Sequence, residues 1–138
     1  MSTDPPKVLQ MRLVVEADDY DEAVRFFRDL LGLREEEALA GPGDARVAIL
    51  DAGRATLEIV NAAQKRMIDE VEVGRPIAPR MRIAFEVSDS PTMTDALVDA
   101  GAELIAAPVE TPWLSLNARL TAPAGLQITV FQELQPKA

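Results

Sequence analysis

The sequence predicts an α+β fold: two βαβββ modules related by a pseudo-twofold axis, forming a curved eight-stranded mixed sheet around a cleft, with helices on the outer face. Three observations lead there. The chain has 138 residues, enough for one domain with a core of its own but not for two ordinary ones. It writes one stretch twice: Arg12-Leu-Val-Val-Glu-Ala-Asp-Asp19 returns as Arg82-Ile-Ala-Phe-Glu-Val-Ser-Asp89, an offset of 70 (82 − 12). Each copy opens on strand-like alternation, passes to helical spacing, and continues with three more alternating runs. A strand-helix-three-strand unit leaves one sheet face bare, and a second copy beside it encloses a shared cleft. The whole of 1–138 reads as a single domain, with module one at about 9–61, a connector at 62–80 and module two at about 81–134.

Residues 1–8 read as a tail with two prolines. In the first strand, about 9–17, Leu13, Val15 and Ala17 point one way and Arg12, Val14 and Glu16 the other. Asp19 with Glu22 three residues on is a capping-box pattern. Tyr20, Ala23, Val24, Phe27 and Leu31 fall at helical spacing, and Gly32 stands as the C-cap. A strand follows at about 33–39, its Glu35-Glu-Glu37 run marking an exposed edge, then a turn at Gly41-Pro-Gly43. Arg46–Leu50 and Thr56–Val60 form a hairpin around Asp51-Ala-Gly53.

The connector carries a short helical pattern over Ala63–Val71, with Met67, Ile68 and Val71 on one stripe, followed by irregular chain at Gly74-Arg-Pro76 and Pro79. Its apolar residues suit either the chain's own core or a partner subunit. Module two opens with Arg82–Val87. Ser90 is the expected N-cap with Pro91 in the first turn, and Met93, Ala96, Leu97 and Ala100 are the buried stripe up to Gly101. Ala102–Ala107 is a strand, and Trp113–Thr121 pairs with Leu126–Phe131 around Ala122-Pro-Ala-Gly125. Asp44-Ala-Arg-Val47 is echoed by Asn117-Ala-Arg-Leu120, and the offset between echoes drifts from 69 (Gly101 − Gly32) to 73 (Arg119 − Arg46).

Composition narrows the chemistry. There is no cysteine and no histidine, so thiolate metal sites, imidazole bases and a Ser-His-Asp triad are excluded. Lack of cysteine fits a cytoplasmic protein. The formal charge of −9 repels nucleic acid and anionic membrane, no apolar run approaches a membrane span, and no secretory signal is visible. Neither nucleic acid nor membrane is an expected partner.

The chain resembles the vicinal oxygen chelate superfamily, which includes glyoxalase I, extradiol dioxygenases, and fosfomycin and bleomycin resistance proteins. Asp19-Tyr-Asp-Glu-Ala-Val-Arg-Phe-Phe27 with Leu31-Gly-Leu33 carries the resemblance in the first half. Phe85-Glu-Val87, Asp95-Ala-Leu97 with Gly101-Ala102, and Pro123-Ala-Gly125-Leu-Gln-Ile carry it in the second. It covers about 9–132 and implies the fold more than the function. Metal-dependent members hold the ion on the first and last strand of each half. The matching positions here are Arg12, Glu58, Arg82 and Thr129, of which only Glu58 suits a divalent ion, and two guanidiniums would repel one. The resemblance therefore places this chain in a metal-free branch, without metal or other cofactor. Relatives are commonly dimers, so a homodimer is expected.

Two readings of Arg12, Glu58 and Arg82 stand side by side. In one, a carboxylate shared by two arginines fills the old metal seat and ties the halves together. In the other, one net positive charge left after Glu58 makes an anion site. Glu16 and Glu86 are either a paired acid and base or rim groups that are solvated or paired with Arg46 and Arg119. Trp113 shares its strand face with Ser115, Asn117 and Arg119, and Phe131 shares one with Thr129 and Gln127; each suits an aromatic wall of a ligand cleft. The expected ligand-binding set is thus Arg12, Glu58, Arg82, Thr129, Trp113, Asn117 and Phe131. The expected function is metal-independent binding of a small organic molecule, anionic or aromatic, as in sequestering resistance proteins. The alternatives are a glyoxalase-like lyase or isomerase, or another enzyme on a small anionic substrate using Arg12, Glu58 and Arg82. A further one is a metal-dependent lyase or isomerase with an all-oxygen site at Glu16, Glu58 and Glu86.

Overall fold

The structure is a computed structural model that describes residues 7–30, 33–53, 55–122 and 125–135, without the side chains of Phe26 and Leu30. The expected tail at 1–6, the end of the first helical stripe at Leu31, the C-cap at Gly32 and the turn residues Pro123 and Ala124 lie outside the described residues.

Eight strands form one open mixed sheet. They are β1 (Val8–Glu16), β2 (Glu35–Ala40), β3 (Arg46–Asp51), β4 (Ala55–Val60), β5 (Met81–Val87), β6 (Glu103–Glu110), β7 (Ser115–Thr121) and β8 (Gln127–Glu133). The order β2-β3-β4-β1-β5-β8-β7-β6 reads the same from both edges once β1–β4 and β5–β8 are treated as copies. β1 runs parallel to β4 and β5 parallel to β8, while β1 meets β5 antiparallel. In that central pair Leu13 faces Ile83, its own repeat counterpart, so the pseudo-twofold passes through this pairing. Arg12 accordingly sits opposite Ala84, and Arg82 opposite Val14.

Pairing corrects one echo. Ile49 faces Glu58 while Arg119 faces Thr129, so Arg119 corresponds to Ile49, an offset of 70, and not to Arg46. The Asp44-Ala-Arg-Val47 likeness is a coincidence of composition. Arg46 lies on the other sheet face, bonded to Asp21 at 2.8 Å and stacked 4.2 Å over the Tyr20 ring.

Two helices cover the outer face as expected. α1 (Tyr20–Val24) is capped by Asp19, whose Oδ1 accepts from Glu22 N at 3.0 Å. Past Val24 the winding widens into a π-helical segment, Arg25–Leu30, which the 3.6-residue period of the sequence does not encode. Val24 packs with Ala48, Leu50 and Ile59, flanked by Tyr20, Ala23 and Phe27. Burying side chains such as Leu50 and Ile59 contributes roughly 1.5–3 kcal/mol each. α3 (Ser90–Asp99) sets Met93 and Leu97 against Val87, Ala118, Leu120, Ile128 and Val130. Its N-cap is Asp89, which accepts from Thr92 N at 3.0 Å; Ser90 is the first helical residue. The Ser90 hydroxyl donates instead to Val130 O, its N–H is taken by Gln132, and no exposure remains to it.

The connector is the departure. α2 (Ala62–Glu72) is a regular helix on the inner face, not the outer one. Asn61 caps it, and Gly74 closes it with φ 87°, donating to Asp69 O and Glu70 O. Its buried face is Gln64, Ile68, Asp69 and Glu72, more polar than the expected Met67, Ile68 and Val71 stripe. Among the described residues no helix is long and apolar enough to cross a membrane.

Candidate functional site

The inner face of the sheet and α2 enclose a cavity of about 400 Å³. Strands of both modules line it: Leu39 of β2, Val47 and Ile49 of β3, Asn117 of β7 and Phe131 of β8. The sheet therefore wraps around the cavity. Its walls also include Met67, Ile68 and Ala84. All seven residues expected to bind ligand, Arg12, Glu58, Arg82, Thr129, Trp113, Asn117 and Phe131, line this cavity within one chain. Trp113 does so from the turn before β7, 40% exposed, and not from the strand itself.

Period-2 alternation puts these side chains on one face. Glu58, Val14 and Arg82 form one row across β4, β1 and β5, and Arg12, Ala84 and Thr129 form the next. Each first-strand arginine turns to the last strand of its own module. Arg82 Nη1 donates to Thr129 Oγ1 at 2.8 Å, and Arg12 Nη1 reaches Glu58 Oε1 at 3.5 Å. The expected carboxylate shared by both arginines is thus replaced by two pseudo-symmetric pairs. Arg12 also crosses between modules: its guanidinium lies 4.8 Å from the Phe131 ring centroid and 3.8 Å from Glu133 Oε1, while Nε donates to Gln10.

Sequence reasoning missed Glu72, Asp69 and Gln64, because the helical pattern of the connector points to its apolar stripe, Met67, Ile68 and Val71, and not to a polar buried face. Glu72 is 3% exposed. Its Oε1 accepts from Arg119 Nε at 3.1 Å, Arg119 Nη2 at 2.9 Å and Thr129 Oγ1 at 3.1 Å; its Oε2 accepts from Asn117 Nδ2 at 2.9 Å. Asp69 Oδ1 accepts from Arg119 Nη1 at 2.8 Å, and Oδ2 accepts from the backbone N–H groups of Ile77 and Ala78 at 3.0 Å each. Arg119 is fully buried. Burial alone would raise the Asp69 pKa, but the Ile77 N–H, Arg119 and the Ala78 N–H outweigh it and hold the carboxyl below its usual value. Burial lowers the Arg82 pKa from the usual guanidinium value, opposed first by Glu72, with the Arg119 charge adding to the lowering and Glu58 opposing it further. A sequence signal existed: Asp69 and Glu72 fall on the face of Ile68, where charge needs a buried partner.

The added carboxylate removes the expected net positive charge. Cavity-lining charges are two arginines, Arg12 and Arg82, against four glutamates, Glu37, Glu58, Glu72 and Glu133. Glu16 and Glu86 do not pair as acid and base. The antiparallel β1–β5 register sets them at opposite ends, Glu86 beside Gln10, and Glu16 near Lys65 and Arg80 at 3.9 and 3.8 Å. Nor do they pair with Arg46 and Arg119, whose partners are Asp21, and Asp69 with Glu72.

The donor set does not suit the metal of metal-dependent relatives. Arg12 and Arg82 cannot ligate, Thr129 is engaged by Arg82 and Glu72, and the oxygens of Glu72 are taken by four donors. Among the described residues no group of three or more His, Cys, Asp or Glu is placed to hold an ion, so Glu16, Glu58 and Glu86 do not assemble an all-oxygen site.

Comparison with known proteins supports the fold. The architecture is similar to a hypothetical protein from Bacillus halodurans C-125, at 15% identity and TM-score 0.68 over 98% of this chain and 99% of that one. It is similar to methylmalonyl-CoA epimerase from Mycobacterium tuberculosis, at 18% identity and TM-score 0.62 over 94% and 88%. It is also similar to a glyoxalase/bleomycin resistance protein/dioxygenase superfamily member from Vibrio splendidus 12B01, at 12% identity and TM-score 0.62 over 89% and 97%. No curated protein sequence matches the chain. The model of the glyoxalase-like domain matches residues 12–131, nearly the whole duplicated unit, and the chain therefore belongs to the glyoxalase-like domain family, within the vicinal oxygen chelate superfamily.

Proposed function

We propose that the chain binds a small, neutral and largely apolar organic molecule in the cleft between its modules, without a metal ion, and holds it without turnover. One observation carries this reading: with Glu72 beside Arg82, the cavity lining holds four glutamates against two arginines, a balance that disfavours an anion. What remains is an apolar-walled cavity of about 400 Å³, within the range of small-molecule sites, with an indole at its mouth. Trp113 is the chain's one tryptophan, so its emission reports occupancy. Titration with neutral aromatic compounds should quench it saturably, and excess chelator should leave the titration unchanged. Loss of binding on chelation, or quenching by anions alone, overturns the reading.

A second reading is favoured by Glu58, whose Oε2 takes no hydrogen bond among the described residues while Oε1 meets Arg12 at a distance of 3.5 Å. Such a carboxylate suits a general base in a lyase or isomerase. Turnover of any cleft ligand that disappears in Glu58→Gln, with binding retained, would replace sequestration by this chemistry. We also infer a homodimer. Met11 and Met81 lie exposed on the outer face of the central strand pair, beside the pseudo-twofold. Sedimentation equilibrium should return twice the 15.0 kDa chain mass, and a monomer at tens of micromolar overturns the inference.

A further inference from the structure

Three polar side chains around the cavity are nine-tenths buried and have unused hydrogen-bonding capacity. Gln64 is 9% exposed, lines the cavity from α2, and its side-chain amide makes no hydrogen bond among the described residues. Glu58 is 9% exposed, and among the described residues its side chain has only the long contact with Arg12. Arg82 is 6% exposed and among the described residues its side chain donates once, to Thr129, which leaves the rest of its fork for other partners. Their free polar atoms open onto the cavity, where a ligand can take up the bonds that water otherwise makes. They differ from Glu72 and Asp69, each of whose oxygens accepts at least one hydrogen bond.

Their placement says what would complete them. Glu58 and Arg82 flank Val14 in one row, two interstrand spacings apart, roughly 9–10 Å between Cα atoms. They make no hydrogen bond to each other, so a ligand using both needs a donor for the carboxylate and an acceptor for the guanidinium at neighbouring positions. Gln64 supplies a further donor and acceptor. Apolar walls at Val47, Ile49, Met67 and Phe131 suit the remainder.

We propose that Glu58, Arg82 and Gln64 together select a flat, uncharged ligand that presents an N–H and a C=O side by side, of the cyclic-amide class. This rests on the neutral-ligand reading above and narrows it. Glu58 accepts the amide N–H, Arg82 donates to the carbonyl, and Gln64 pairs with whichever polar atom faces α2. A compound with only one of the two groups displaces water from both charges but pairs with one, and is rejected for that reason.

Isothermal titration calorimetry with four probes tests it: carbostyril, which carries both groups; N-methylcarbostyril, acceptor only; indole, donor only; and naphthoate, an anion. Carbostyril should bind at least ~10-fold more tightly than either one-group probe. The ratio over N-methylcarbostyril should collapse toward one in Glu58→Leu, and carbostyril should bind more weakly in Gln64→Leu. The Gln64→Leu variant keeps the side-chain volume and removes an unpaired buried amide, so folding is expected to survive it. Equal binding of carbostyril, N-methylcarbostyril and indole overturns the proposal and leaves the neutral cleft standing. Tightest binding by naphthoate overturns both, as does absence of heat with all four.

Discussion

Arg119 shows how a single side chain can hold a connector in place. It is fully enclosed and bonds two carboxylates of α2. Replacing it by methionine strands Asp69 and Glu72 without a cation, which should cost about 3–5 kcal/mol, visible as a lowered urea midpoint. Asp69 adds a pH signature. Its folded pKa lies below the unfolded value near 3.8, so the unfolded chain binds more protons around that pH. The contribution is therefore complete above about pH 4–5 and is lost as pH falls through the lower folded pKa. Asp69→Asn should flatten the acid limb of a stability-against-pH curve; an unchanged acid limb counts against that role. At this scale the sequence was readable where position in a strand fixes direction. Arg12, Glu58, Arg82, Thr129, Asn117 and Phe131 share the cavity face because alternation puts them there. Charge partners were not readable: nothing in the spacing says that Arg119 meets residues fifty positions earlier.

Elements were readable in proportion to their local chemistry. Alternation and turn residues located the strands, and the repeat located the modules. Asp19 was visible as a cap through Glu22, yet its copy Asp89 was passed over for Ser90, although the duplication itself pointed there. Asp89→Ala should destabilise by about 1 kcal/mol, and faster amide exchange at Thr92 would locate the loss at the cap. α2 was half visible. Its apolar content is low, so its stability comes from buried ion pairs and from Asn61, which accepts from Gln64 N and Arg46 N and donates to Asp44 O. Asn61→Ala removes all three bonds. It should cost roughly 1–2 kcal/mol, loosen α2 before the sheet in hydrogen exchange, and weaken ligand binding because Gln64 and Met67 ride on this helix. Exchange that speeds uniformly across the chain would contradict that order.

The whole molecule follows from duplication around the Leu13–Ile83 pairing. The doubled motif made the sheet order and the shared cleft inferable. What broke the symmetry was not: α2 belongs to neither copy, and it seals the cavity with carboxylates that only module two receives, through Arg119, Asn117 and Thr129. The two arginines that repeat each other therefore live in different surroundings. Arg82 is fixed by Thr129 at 2.8 Å, while Arg12 rests on Phe131 between two more distant carboxylates. An excess of glutamate over arginine around the cavity, on a chain of charge −9, also bears on how a ligand arrives. Uncharged molecules diffuse in without being steered, so their capture rate should be the same in dilute buffer and in brine, whereas anions should enter faster as ionic strength rises.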